Sequence, residues 1–275
     1  MELSKFKVIF LYFFRNYFRS RSFYFLLSLI LFISAVMSYA SFRYVDEIGS
    51  FITKSSSLNT ELKERFFEYF WEIFVPYITL FASVLFGAGA ISGELEEGSA
   101  NFTFSLPLSR YYIYLGKFMS AFVAVSAIVS VYYFFQFVSY TIIFLEFPSY
   151  LTLVSFSMEL MFSLAILSIV FLFSSLFSRT MFAYLSVMIL YFVILLAASL
   201  VSEIFYGTDP LYLINNISGI LSTVYVGLNF SFLGLSGNLQ PAGLPQIEYA
   251  VLVMASYLVA CSAAAMLIFE RRQSY

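Results

Sequence analysis

The amino-acid sequence predicts an all-α membrane protein of six transmembrane helices. Three observations carry this: six apolar stretches long enough to cross a bilayer, charges gathered almost wholly between them, and an excess of Lys and Arg on one side of the predicted path. Hydrophobic residues make up 61% of the 275 and charged ones 11%, against an apolar share of about 45–50% in soluble domains. Lipid rather than water is the main solvent.

A span needs about 20 mostly apolar residues to cross a hydrocarbon core of about 30 Å. Segments 23–42, 71–91, 117–145, 151–177, 182–202 and 247–269 qualify, and 23–275 reads as a single transmembrane domain. Residues 1–22 place Lys7, Arg15 and Arg19 among Phe6, Phe10, Phe13, Phe14 and Phe18, a mixture suited to a cytoplasmic amphipathic helix in the inner headgroup layer, the alternative being a plain basic flank. A signal peptide cleaved after Ser38-Tyr39-Ala40 is opposed by this long patterned segment ahead of the apolar stretch.

The outer loop 43–70 holds Glu61-Leu62-Lys63-Glu64-Arg65 beside Phe66, Phe67 and Phe70, the pattern of a short amphipathic helix leading into the second span. A long cytoplasmic loop, 92–116, joins the second span to the third. In the other outer loop, 203–246, the uncharged stretch 211–228 is interrupted by Asn215, Asn216, Ser218, Ser222 and Thr223. It is too polar for a lipid-facing crossing and predicts short outer helices, surface-lying or re-entrant.

With the N-terminus in the cytoplasm, ten basic residues fall inside: Lys5, Lys7, Arg15, Arg19, Arg21, Arg110, Lys117, Arg179, Arg271 and Arg272. Arg43, Lys54, Lys63 and Arg65 fall outside, which favours this orientation over its inverse, with both termini cytoplasmic and the chain multi-pass in the cell membrane. One cysteine, Cys261, and no histidine exclude the usual zinc, haem and iron–sulfur ligand sets, and no metal site is expected. No phosphate-cradling G-x-x-x-x-G-K-[ST] loop is present, and no nucleophile and base converge. The chain is therefore not expected to be an enzyme by itself, to bind a cofactor, or to bind nucleic acid.

The loop from Ile91 to Lys117 is the most informative stretch. Glu94, Glu96 and Glu97 at a span's inner end suit water or a basic partner surface. Residues 94–105 predict a short helix, Pro107 stops it, and Ser109 is placed to cap the next one. Ser92-Gly93-Glu94, Glu96, Gly98-Ser99, then Ser105-Leu106-Pro107, Ser109-Arg110 and Gly116-Lys117 resemble the second-to-third loop of the permease subunits of ABC-2 type ABC transporters. Ser99 stands where that family more often has Thr. The N-terminal helix, Leu176-Phe177-Ser178-Arg179 and Phe269-Glu270-Arg271-Arg272 extend the resemblance along the chain.

The resemblance implies a permease subunit of an ATP-driven exporter, paired with a second permease copy as a homodimer or close heterodimer. It implies a cytoplasmic coupling helix in this loop, through which Glu94, Glu96, Glu97, Gly98, Ser99, Ser105, Pro107 and Arg110 contact separate cytosolic ATPase subunits that hold ATP and Mg. It also implies that the first, second and fifth spans lie near the central pathway. On the second span Glu72, Tyr77, Phe81 and Leu85 are the candidate lining.

Within the membrane, Gln136 and Glu159 fall at similar depth across the hairpin through Pro148. They are expected to pair, as a structural interhelical hydrogen bond or in a substrate or proton role. A gradient-driven transporter or channel using Glu159 is the alternative function. Small residues at helical spacing, Ser83, Gly87 and Ala90 in the second span and Ser120, Ala124 and Ala127 in the third, predict close helix packing.

Overall fold

Pro76 explains the most conspicuous irregularity of the chain, a break in the second span. Proline lacks the N–H that would bond the carbonyl of residue 72 and its ring crowds the preceding turn, but it is tolerated at a helix start. Helix α3 (Thr60–Glu72) accordingly stops, and α4 (Val75–Gly87) begins with Pro76 in its first turn. After Ala88 the chain continues as α5 (Gly89–Glu96). The computed structural model describes residues 2–52, 60–98, 109–206, 210–225, 228–232, 235–239 and 242–271.

Among the described residues, six stretches are long and apolar enough to cross a membrane: Arg21–Tyr44, Lys63–Glu96, Arg110–Phe144, Tyr150–Leu176, Thr180–Phe205 and Leu244–Arg271. The all-α, six-span expectation is met. The N-terminal helix α1 (Glu2–Arg19) precedes α2 (Arg21–Ile52), which carries the first span. Helix α6 (Arg110–Phe144) is the third and α7 (Tyr150–Leu176) the fourth. Leu145, at φ 57°, ends α6 in a left-handed cap, and the Ser149 hydroxyl accepts from Leu151 N at 3.3 Å to start α7. The fifth span runs through α8 (Thr180–Ile189), a π-helical segment (Leu190–Leu195) and α9 (Leu196–Tyr206), and α11 (Leu244–Arg271) is the sixth.

Between the fifth and sixth spans lie α10 (Ile214–Thr223) and an antiparallel hairpin of β1 (Leu228–Phe232) and β2 (Leu235–Leu239), paired Leu228 with Leu239 through Phe232 with Leu235. Helix α10 buries Ile214, Ile217, Ile220 and Leu221, a spacing that turns one apolar face inward. The hairpin departs from the expectation of short helices only. Leu228, Phe230 and Phe232 alternate with Asn229 and Ser231, a period-two signal that a search for helical spans passes over.

The second, third and fourth spans form the centre, where Trp71, Tyr132, Phe162 and Phe171 are fully buried. The first, fifth and sixth form the rim and turn apolar side chains outward: Phe32 is 68% exposed, Ile204 76% and Leu252 65%, an arrangement suited to lipid or to another membrane-embedded surface. Close approach replaces the hydrophobic effect as the packing device. A Cβ on Gly87 would meet Val170 Cγ1 at 2.8 Å, and one on Gly116 would meet Ile9 Cγ2 at 2.7 Å. The second span is thus pressed against the fourth, and α1 against the start of the third, where the Ser120 hydroxyl donates to Phe10 O at 3.0 Å.

Candidate functional site

The end of the second span is joined to three other spans by polar contacts. Helix α5 starts inside the protein, so its first N–H groups need partners from elsewhere. Ser174 of the fourth span supplies one: its hydroxyl accepts from Ile91 N and Ser92 N at 3.1 Å each and donates to Ala88 O at 2.7 Å. Lys117 of the third span pairs with Glu94 at 2.6 Å, donates to Ala90 O at 2.8 Å, and lies 5.2 Å from the centre of the Phe13 ring. The lysine is 1% exposed and the glutamate 19%, so the pair is shielded from water on the lysine side. Glu96 Oε2 accepts from Thr180 N at 2.9 Å, at the N-terminus of the fifth span, where a negative charge is favoured by the helix dipole.

These contacts change the part expected of the loop residues. Glu94 and Glu96 are committed to Lys117 and Thr180; Glu96 and Glu97 are both exposed, and Gly98, at φ 70°, turns the chain at the end of α5. Arg110 donates from Nη1 to Glu270 O at 3.0 Å, tying the start of the third span to the last turn of the sixth. Ser109 occupies the N-cap position of α6 without a side-chain cap bond. Ser99, Ser105 and Pro107, and with them the body of the expected coupling helix, lie outside the described residues.

At the opposite end the second span carries a second polar cluster. Glu72, fully buried, accepts from Tyr133 Oη at 2.9 Å and Tyr225 Oη at 3.1 Å. Glu68, 3% exposed, accepts from Thr152 at 2.9 Å. Trp71 between them donates through Nε1 to Ser41 Oγ at 3.0 Å, and its carbonyl accepts from Tyr132 Oη at 3.0 Å. Four spans and the residue just after α10 thus meet at one turn.

One expectation for this region is corrected. The Gln136–Glu159 hydrogen bond is not made. Glu159 accepts from Thr79, because the second span packs against both the third and the fourth and brings its hydroxyl there first. Gln136, 1% exposed, lies beside Glu72 instead. Glu72, a candidate for the pathway lining, is buried within the single chain among its hydroxyl partners.

Tyr77 and Phe81 do share an outward face, 45% and 47% exposed. Phe192 of the fifth span joins them, its ring 6.3 Å from that of Tyr77 at an interplanar angle of 7°. Leu85 is half-buried, and its carbonyl accepts from Tyr184 Oη at 3.2 Å. Tyr77 and Phe192 border an open cavity of about 750 Å³, which Ser199, Asn215, Asn216 and Gln246 also line.

Sequence reasoning missed Ser174, Thr79, Tyr133, Tyr225 and Phe192, and took Lys117 only as an inner basic residue and the end of the loop motif. The available signal was the proximity of Lys117 to the end of the third span: a lysine seven residues into an apolar helix needs a partner. Among curated proteins none matches this chain. The model of the family described as "ABC-2 family transporter protein" matches residues 9–273, so this six-span chain belongs to the ABC-2 family and is a permease component of an ABC transporter.

Proposed function

We propose that the chain is the membrane half of an ATP-driven exporter, working as a dimer of permeases with separate cytosolic ATPase subunits and with both termini in the cytoplasm. ATP and Mg are held by those subunits. Their closure displaces the 94–110 loop, and the second span carries the displacement into the bundle. One observation carries this reading: the loop-proximal end of the second span is bonded to the third span at Lys117, the fourth at Ser174 and the fifth at Thr180. A push on the loop therefore reaches three helices at once.

The outward Tyr77, Phe81 and Phe192 face and the apolar rim of the first and fifth spans suit contact with a second copy around a shared pathway. The test is co-purification of the tagged permease with an ATPase encoded beside it, followed by ATP hydrolysis in proteoliposomes. Glu97→Lys is expected to weaken recovery of the ATPase while leaving the permease folded; unchanged recovery and hydrolysis would sink the docking assignment. Glu159→Gln separates the gradient-driven alternative, because it abolishes transport there and leaves ATP-dependent transport intact here.

A further inference from the structure

We infer that Glu94 and Glu96 are positioning residues rather than ATPase contacts: they clamp the second span's end to the third and fifth spans, so that among the three carboxylates docking falls to Glu97. This rests on the docking role proposed for the loop and divides that role among its carboxylates.

The geometry supports the division in three ways. Two residues apart on a helix lie about 200° around its axis, so Glu94 and Glu96 point to nearly opposite sides, one to Lys117 of the third span and the other to Thr180 of the fifth. The third and fifth spans barely touch each other, and the fourth packs against both; α5 adds a polar link to each, through Glu94 and Glu96. Lys117, finally, is held from three directions: by Glu94, by the Ala90 carbonyl and by the Phe13 face of the N-terminal helix. A carboxylate whose partner is so deeply enclosed is poorly placed to recruit a second protein, because leaving Lys117 would strand a buried cation. Glu96 is exposed but its Oε2 is taken by Thr180 N, whereas Glu97, also exposed, makes no side-chain bond to a described residue.

The test uses the full permease with its ATPase subunit in a Cys261→Ser background, with Tyr77→Cys as a reporter on the outward face. Labelling by a membrane-impermeant maleimide is compared without nucleotide and with ATP plus orthovanadate. Glu94→Gln and Glu96→Gln are expected to leave ATPase recovery unchanged and to reduce the nucleotide-dependent change in labelling by about fivefold or more. The exchange Glu94→Lys with Lys117→Glu is expected to restore it. Should Glu94→Gln fail to fold, Glu94→Gln combined with Lys117→Met removes the pair without stranding a charge, and it is expected to show the same loss of response.

Loss of ATPase recovery in Glu94→Gln equal to that in Glu97→Lys would overturn the inference, as would a full labelling response in Glu94→Gln or in the double variant. Failure of the unaltered permease to recover any ATPase would sink the docking proposal instead. In that case restoration of thermal stability by the exchange still reports on the Glu94–Lys117 clamp, and its absence would refute it.

Discussion

The two ends of the second span bury carboxylates by different chemistry. At the loop end Glu94 meets a cation, Lys117, while at the opposite end Glu72 and Glu159 meet hydroxyls, from Tyr133, Tyr225 and Thr79. An ion pair depends on both charges, because removing one leaves the other unpaired in a low-dielectric site. A hydroxyl-lined carboxyl depends on its acceptor oxygens, which a neutral amide retains in part. The loop end is thus built as a strut whose two halves need each other, and the opposite end as a hydrogen-bonded hub whose shape matters more than its charge.

The largest expected effect breaks the strut. Glu94→Gln leaves Lys117 unpaired and is expected to destabilise the permease by about 3–5 kcal/mol, read as a lowered unfolding midpoint in detergent. Exchange of the two charges should recover much of that loss. Next come the hydroxyl donors: Glu72→Leu takes the acceptor from Tyr225 and leaves Tyr133 with Ser155 alone, at 3.3 Å, at about 1–3 kcal/mol for the buried hydroxyl left without a partner. Glu72→Gln should cost clearly less by the same measurement. If Glu72→Gln proved as damaging as Glu94→Gln, the two ends would not differ in kind.

A smaller effect is expected where the strut is braced. Gly116→Ala pushes a methyl into Ile9 and should cost about 1–3 kcal/mol by overpacking, with Ile9→Val restoring part of it. The smallest effect sharpens the comparison from outside: Glu97→Lys, at an exposed position, should change stability by no more than about 0.5 kcal/mol. Its consequence is expected in ATPase recovery alone.

Much of the architecture was legible because lipid imposes simple requirements on a chain. Apolar length marked the six spans, the amphipathic run Glu61 to Phe70 marked α3, and Pro148 marked a hairpin turn; the break at Pro76 was missed, because 71–91 reads as one apolar stretch. The candidate site was legible only in part. Glu94, Glu96 and Glu97 form one short acidic run, and nothing in their order separates a clamped residue from a free one. The hairpin after α10 escaped notice because its apolar residues alternate in a segment judged by helical spacing.

Sequence alone determined that this protein belongs to a membrane, that it has six segments long and apolar enough to cross one, and that it carries between the second and third of them a loop resembling that of its family. Those properties depend on local composition and order, which lipid reads residue by residue. Only the tertiary structure decided which carboxylate meets which partner: that Lys117 takes Glu94, that Thr79 rather than Gln136 reaches Glu159, and that Tyr225 closes on Glu72. The physical reason is distance along the chain. Partners separated by 23, 80 and 153 residues are brought together by helix rotation and packing, and a helix break at Pro76 is enough to change which faces meet.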